Sequence, residues 1–152
     1  MGISQLTGAR ARIMGGLLTS MKRIRIAATP TGAAQNSAFT LPTKAVVFGA
    51  WIDVTVAEAT GTTKTIDVGP SSDPNGYLDG IDVSSTGIKK GTLDSGGQTL
   101  GALLSVDEDG AGVLVPEPDL TGGGEVVQYT AGSNDFAEFR GDIYILYANL
   151  TA

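Results

Sequence analysis

The chain has 152 residues, a formal net charge of -6, 41% hydrophobic and 17% charged residues, the proportions of one globular domain that buries a core without staples, unlike a free-standing nucleic-acid binder or a disordered tail. It contains neither cysteine nor histidine, which excludes disulfides, thiolate nucleophiles, the usual zinc ligand sets and every Ser-His or Cys-His catalytic arrangement. No apolar stretch approaches the roughly 20 residues that a membrane-spanning helix requires.

Charge divides the chain. Residues 1–52 hold six basic side chains (Arg10, Arg12, Lys22, Arg23, Arg25 and Lys44) and no acid, whereas residues 53–152 hold four basic and all sixteen acidic ones. A basic leader on an acidic body is suited to docking on something acidic; a solvated terminus is the alternative reading. Residues 1–21 combine two arginines with a short, Gly-interrupted apolar patch and lack a small-residue cleavage site, so they read as a basic arm and not as a signal peptide.

Residues 22–152 read as the folded domain. From Lys22, Ile24 and Ile26 alternate with Arg23 and Arg25, the period of a half-buried strand. A loop follows, with a short extended piece that Pro42 closes. In KAVVFGAWIDVTVAEA the alternation places Val46, Phe48, Ala50, Ile52, Val54 and Val56 on one buried face and Val47, Gly49, Trp51, Asp53 and Thr55 on the other. Further short β-rich runs follow, TTKTIDVG, IDVSS, GIKKGTL, GQTLGALLSV, AGVLVPEP and GEVVQYTAG, each bounded by Gly, Asp-Gly or Pro. The last run, FAEFRGDIYILYANL, sets Phe139, Ile143, Ile145 and Tyr147 against Glu138, Arg140 and Asp142, and Tyr144 and Leu146 make its second half apolar on both sides. Eight to ten short strands with turns at regular intervals predict an all-β antiparallel sandwich, and the strand number fits a jelly roll. Such a sandwich has open edges, which self-association can cover.

Several local patterns suggest chemistry. DVGPSSDPNGYLDGIDV gathers Asp67, Asp73, Asp79 and Asp82. An EF-hand loop beginning at Asp73 requires a bidentate Glu where Ser84 stands. A looser oxygen site of Asp73, Asn75, Asp79 and Asp82 remains open, beside the ordinary role of Asp and Asn as turn formers. Asp107–Gly110, DEDG, reads as a hairpin turn. Glu125 and Glu138 fall on predicted strands and are the candidates for a catalytic carboxylate pair, but 6% aromatic residues leave little to line a sugar cleft. Trp51, Tyr77 and Tyr129 are the candidates for stacking on a carbohydrate, with Trp51 also placed as a packing or interface residue. TGGGE and DSGGQ lack the lysine and the strand-to-helix setting of a phosphate loop.

The run AFTLPTKAVVFGAWIDVTVAEATGTTKTIDVG, then SSDPNGYLDGIDVSSTGIKKGTL, GALL, VPEP and YTAGSNDFAEFRGDIYILYANL, resembles a family of small virion proteins of tailed bacteriophages over about residues 22–150. The likeness is one of order and spacing and includes no catalytic signature. Members that are understood are similar to head decoration, or cement, proteins: jelly-roll-like sandwiches that bind the outside of the capsid as homo-oligomers. The resemblance implies a non-enzymatic protein on the outer surface of the virion head, partnered by the major capsid protein and by its own copies as a dimer or trimer, without cofactor, metal, nucleic acid or membrane. On that reading Arg10, Arg12 and Lys22 are the candidate capsid anchors, and Trp51, Tyr144 and Leu146 the candidate oligomer interface. The basic leader matches no family pattern. The alternative is the same fold in a tail or fibre, binding host-surface glycan.

Overall fold

The computed structural model describes residues 19–26, 30–33, 35–93, 100–107, 114–116, 118–121 and 123–150. The leader with Arg10 and Arg12, and the Asp109–Gly110 turn, lie outside the described residues. Ten strands run in the order β1 (Thr19–Ile26), β2 (Gln35–Thr40), β3 (Ala45–Val56), β4 (Thr65–Pro70), β5 (Leu78–Asp82), β6 (Gly87–Lys90), β7 (Ser105–Asp107), β8 (Leu114–Pro116), β9 (Val126–Ala131) and β10 (Arg140–Asn149). β1 starts before the alternation at Lys22, because Thr19, Ser20 and Met21 pair with Ala148, Tyr147 and Leu146.

Two four-stranded antiparallel sheets, β1-β10-β3-β6 and β2-β9-β4-β5, form the sandwich, and β7-β8 is a separate hairpin between β6 and β9. β1 lies beside β10, β2 beside β9, β3 beside β6 and β4 beside β5. The chain is thus one long antiparallel hairpin rolled so that its arms alternate between layers, which is the strand order of a jelly roll. The connections β1–β2, β3–β4, β5–β6 and β9–β10 gather at one end; β2–β3, β4–β5 and the long β6–β9 connection gather at the other, where Thr19 and Asn149 also lie.

Alternation fixes the core. Ile24 and Ile26 of β1, Ile52 and Val54 of β3, and Ile143 and Ile145 of β10 face Phe39, Ile66, Val68, Ile81 and Val127 of the opposite sheet, all buried. Each such side chain contributes about 1.5–3 kcal/mol by leaving water. The alternation in β3 is interrupted twice. Leu146 pairs with Gly49 and Tyr147 with Val47, so Phe48 is an extra residue, a β-bulge. N-terminal to it the faces exchange: Val47 and Ala45 join the core and Phe48 is exposed, the reverse of the regular pattern. A second bulge at Thr55, whose Oγ1 donates to the Arg140 carbonyl at 3.1 Å, leaves Val56 exposed instead of inward.

The long β6–β9 connection is pinned to the β4–β5 loop. Leu100 bridges Leu78, Gly101 N–H donates to the Tyr77 carbonyl at 3.0 Å and Leu103 N–H to the Gly76 carbonyl at 2.8 Å, leading into a 3-10 turn at Ala102–Leu104. Glycine is required for this approach: a Cβ on Gly101 would stand 2.2 Å from the Asn75 carbonyl oxygen and 2.3 Å from the Gly76 carbonyl carbon. Backbone atoms cannot rotate aside, so Gly101→Ala is expected to destabilise the fold by about 1–3 kcal/mol. An unchanged midpoint in urea unfolding would show that the two loops part freely.

Candidate functional site

The acidic segment forms turns. Asp67 Oδ1 accepts the Gly80 N–H at 2.7 Å and Asp82 Oδ1 the Ser84 N–H at 2.8 Å, while the Asp73 carbonyl accepts the Gly76 N–H at 2.9 Å. Burial pushes the Asp67 carboxyl up, against the Gly80 hydrogen bond, and the Asp79 charge adds to the rise. Among the described residues no three acidic side chains converge as a metal ion would require.

Glu125 and Glu138 do not form a pair, and neither lies in a strand. Glu125 precedes β9 and Glu138 follows the turn beyond its far end, a separation of roughly 20 Å along the strand. Glu125 Oε2 accepts from Ser72 N–H at 2.9 Å and Ser71 Oγ at 3.3 Å, and the hydrogen bonding at Ser72 and Ser71 outweighs burial and lowers its carboxyl. It ties the β4–β5 loop to the start of β9. Tyr77 is no stacking platform either. Its ring is fully buried and its hydroxyl donates to Asp119 Oδ2 at 3.1 Å, while Thr121 N–H and Oγ1 hold Asp119 Oδ1 at 2.7 Å. Burial, followed by the Asp119 charge, pushes the Tyr77 hydroxyl far up.

One buried carboxylate is a feature the sequence did not suggest. Glu58, in the β3–β4 connection, is 0% exposed. Its Oε1 accepts from Thr60 N–H, Thr60 Oγ1 and Gly61 N–H at 3.0, 2.8 and 3.1 Å. Its Oε2 accepts the N–H groups of Ala137, Glu138 and Phe139 at 3.0, 3.1 and 3.0 Å. Burial alone would raise this carboxyl, but the hydrogen bonds from Glu138, Thr60 and Phe139 together outweigh it and hold the pKa at about 2. Neighbouring contacts support the same end: Asp135 accepts from Thr62 N–H and Oγ1, and Asn134 Oδ1 accepts the Gly32 N–H at 2.7 Å.

The outer face of the β1-β10-β3-β6 sheet brings the predicted interface residues together. Register places Arg23, Tyr144, Trp51 and Lys90 in one row across four strands, and Met21, Leu146 and Gly49 in the next but one position along three of them. Trp51 and Tyr144 stack at 5.7 Å between centroids with 11° between planes. Arg23 and Arg25 lie over Asp142, with Nε 3.6 and 3.2 Å from Oδ1. Beside this row, where β6 ends, an apolar groove of about 770 Å³ opens between Phe48, Trp51, Ile88, Leu104 and Leu146, with Lys90 the one charged side chain lining it among the described residues. Exposed Met21, Phe48 and Ile88 enlarge the apolar face. Of these, Phe48 was hidden by the bulge, and Ile88 and Met21 stand among basic neighbours that masked them. Lys22 lies elsewhere: it is exposed at the β1 edge, its Nζ 5.4 Å from the centre of the Phe39 ring.

Two chains of solved structures are similar to this one. A chain of the cyanophage Pam1 capsid asymmetric unit superposes with a TM-score of 0.50 at 20% identity, over 87% of this chain and 84% of that one. A chain of the acidic stable capsid structure of Helicobacter pylori bacteriophage KHP30 gives 0.49 at 15% identity, over 88% and 90%. The first likeness shows the fold, in a chain of closely similar length. No protein-family model matches the sequence, and no curated protein matches it.

Glu58 carries a pH prediction. Its folded pKa of about 2 lies below its ordinary 4.5, so its contribution is complete above about pH 4.5 and is lost as the pH falls through about 2, amounting to about 3 kcal/mol. Glu58→Gln is expected to cost about that much at neutral pH, because an amide nitrogen replaces an acceptor before three N–H donors. It should also remove most of the acid limb of stability between pH 4.5 and 2. Parallel pH profiles for the two proteins in urea unfolding would refute the assignment.

Proposed function

We propose that this protein is a non-enzymatic structural component of a tailed-phage virion, a head decoration or cement protein that binds the outer surface of the capsid and clamps neighbouring major capsid subunits. The observation that carries the reading is the jelly-roll sandwich shared with a similarly sized chain of the Pam1 capsid asymmetric unit. The order of its strands and loops, which resembles the decoration family, adds to it.

In this role the sandwich is the rigid part. Arg10, Arg12 and Lys22 anchor it to an acidic strip of the major capsid protein, and Trp51, Tyr144 and Leu146 pack copy against copy. An arm that orders only on binding gains contact area while losing chain entropy, so one copy holds weakly and a symmetric array holds strongly through avidity. Removing a capsid subunit then requires breaking every clamp that crosses it. The glycan-binding alternative has less support: one face of Trp51 is covered by Tyr144, and Tyr77 belongs to the core.

Co-sedimentation with empty heads tests the role. Saturable binding at a copy number matching the capsid lattice is expected. A chain lacking residues 1–18 should bind at least tenfold more weakly, since an arm with two arginines contributes at least 1.4 kcal/mol per copy on this reading. Indifference of the intact protein to heads would remove the capsid role, and undiminished binding of the shortened chain would remove the arm from it.

A further inference from the structure

A polar pocket lies where β1 ends and β10 begins, at the far end of their pairing from Thr19. Its volume is about 370 Å³, and it is lined by Arg25, Ile26, Thr55, Arg140, Gly141 and Asp142. The second bulge of β3 shapes it. Val54 pairs with Gly141 and Val56 with Arg140, so Thr55 is the extra residue, and an extra residue bends its strand and re-aims the side chains around it. Thr55 Oγ1 donates to the Arg140 carbonyl at 3.1 Å, and Arg140 Nη1 donates to the Phe139 carbonyl at 2.6 Å. The Arg140 guanidinium is thereby tied to backbone at the pocket wall.

Arginine sets the chemistry of this corner. The described residues include three arginines, Arg23, Arg25 and Arg140, and all three stand here. Arg23 and Arg25 both direct Nε at one oxygen, Asp142 Oδ1, at 3.6 and 3.2 Å. The Nη groups of Arg25 have no partner among the described residues, and its side chain is 65% exposed, so the fork beyond Nε is presented to solvent. A guanidinium fork offers paired N–H donors that match the two oxygens of a carboxylate.

Charge selects the ligand. Asp142 is paired with Asp53 across β10 and β3. The pocket's charged side chains, with Arg23 and Asp53 that adjoin Asp142, therefore comprise three guanidinium groups and two carboxylates. An excess of one positive charge matches a singly charged carboxylate. A phosphate carries nearly two negative charges, and a nucleic-acid backbone carries closely spaced ones; Asp53 and Asp142 repel both. A lone exposed ion pair contributes little, so a carboxylate that stays is one borne by a larger surface with contacts of its own. We infer that the Arg25–Arg140 pocket is a carboxylate-binding site that takes an Asp or Glu side chain from the protein surface on which this protein docks. Reading that surface as the capsid rests on the function proposed above; the chemistry of the site does not.

The arginine Nε–H signals of the full-length, nitrogen-15-labelled protein report the site directly. Titration with sodium acetate, against sodium chloride at equal ionic strength, should move the Arg25 and Arg140 signals saturably. Arg25→Gln and Arg140→Gln should each weaken acetate binding at least about fivefold, the loss of one charge-assisted contact. Arg25→Lys keeps the charge without the fork and should also bind more weakly. Retained dispersion of the amide spectrum shows that each variant is folded. The phosphate dianion should bind no more tightly than acetate. In co-sedimentation with heads, the double variant Arg25→Gln, Arg140→Gln should bind at least about fivefold more weakly than the unaltered protein.

Signals that move equally in chloride, or that respond to acetate alike in the glutamine variants, overturn the site. Tighter binding of phosphate than of acetate overturns its assignment to a carboxylate. Acetate saturation with undiminished head binding by the double variant overturns the docking of a protein side chain there. Acetate saturation by a protein indifferent to heads refutes the capsid role and retains the site, so the two failures are separate results.

Discussion

The register of β10 depends on one buried carboxylate. Glu58 stands two residues beyond the end of β3 and takes the N–H groups of Ala137, Glu138 and Phe139, the three residues before β10 begins. Those donors therefore converge on one oxygen instead of continuing a ladder, which is why the strand starts at Arg140 although the apolar pattern begins earlier. Fixing where β10 starts against where β3 ends fixes the pairing between them. Because side chains alternate with period two, a one-residue slip would exchange every inward and outward position. Ile143 and Ile145 would then face solvent, and Tyr144 would leave its stack on Trp51. The carboxylate at the end of the sandwich thus supports, together with the buried alternation, the register on which that face depends.

The sequence makes the sheets legible and the irregularities opaque, for one physical reason. Alternation is a local signal, and it correctly assigned Ile24 and Ile26, Ile52 and Val54, and Ile143 and Ile145 to the core. A bulge is not local: Phe48 is displaced by the pairing of Leu146 with Gly49 and Tyr147 with Val47, and nothing in FGAW announces it. Thr55 is displaced in the same way. Glu58 was unreadable for a related cause, since a glutamate between two alanines looks like any solvated loop residue until the partners supplied by Ala137–Phe139 are known. The acidic loop was legible because Asp67 and Asp82 act on backbone groups within their own hairpin and turn. The joining of Trp51, Tyr144 and Leu146 on one face is a consequence of register; their apolarity alone was visible in the sequence.

The two ends of the sandwich differ in kind. Glu58, Asp135 and Asn134 cross-link the end where four connections meet, each by a side chain that satisfies backbone N–H groups which would otherwise lie unpaired. The other end, where Thr19 lies, is joined by close backbone approach and by Glu125 on Ser72. On that side β6 stops after Lys90, and the next described bridge to β3 is that of Asp119 to Val47.

Edge chemistry points in the same direction. β1 presents exposed Lys22, Arg23 and Arg25, charges that discourage another strand from adding to it, and its two arginines are turned onto Asp142. β6 protects its side of the sheet only over the four residues that pair with Trp51–Val54. Beyond them the edge offers small residues, Gly49 and Ala50, between large apolar ones. The two edges of the sheet thus differ in length, β1 pairing with β10 over eight residues and β6 with β3 over four. Edges that differ in this way limit where an added strand can pair, and so limit irregular edge-to-edge association.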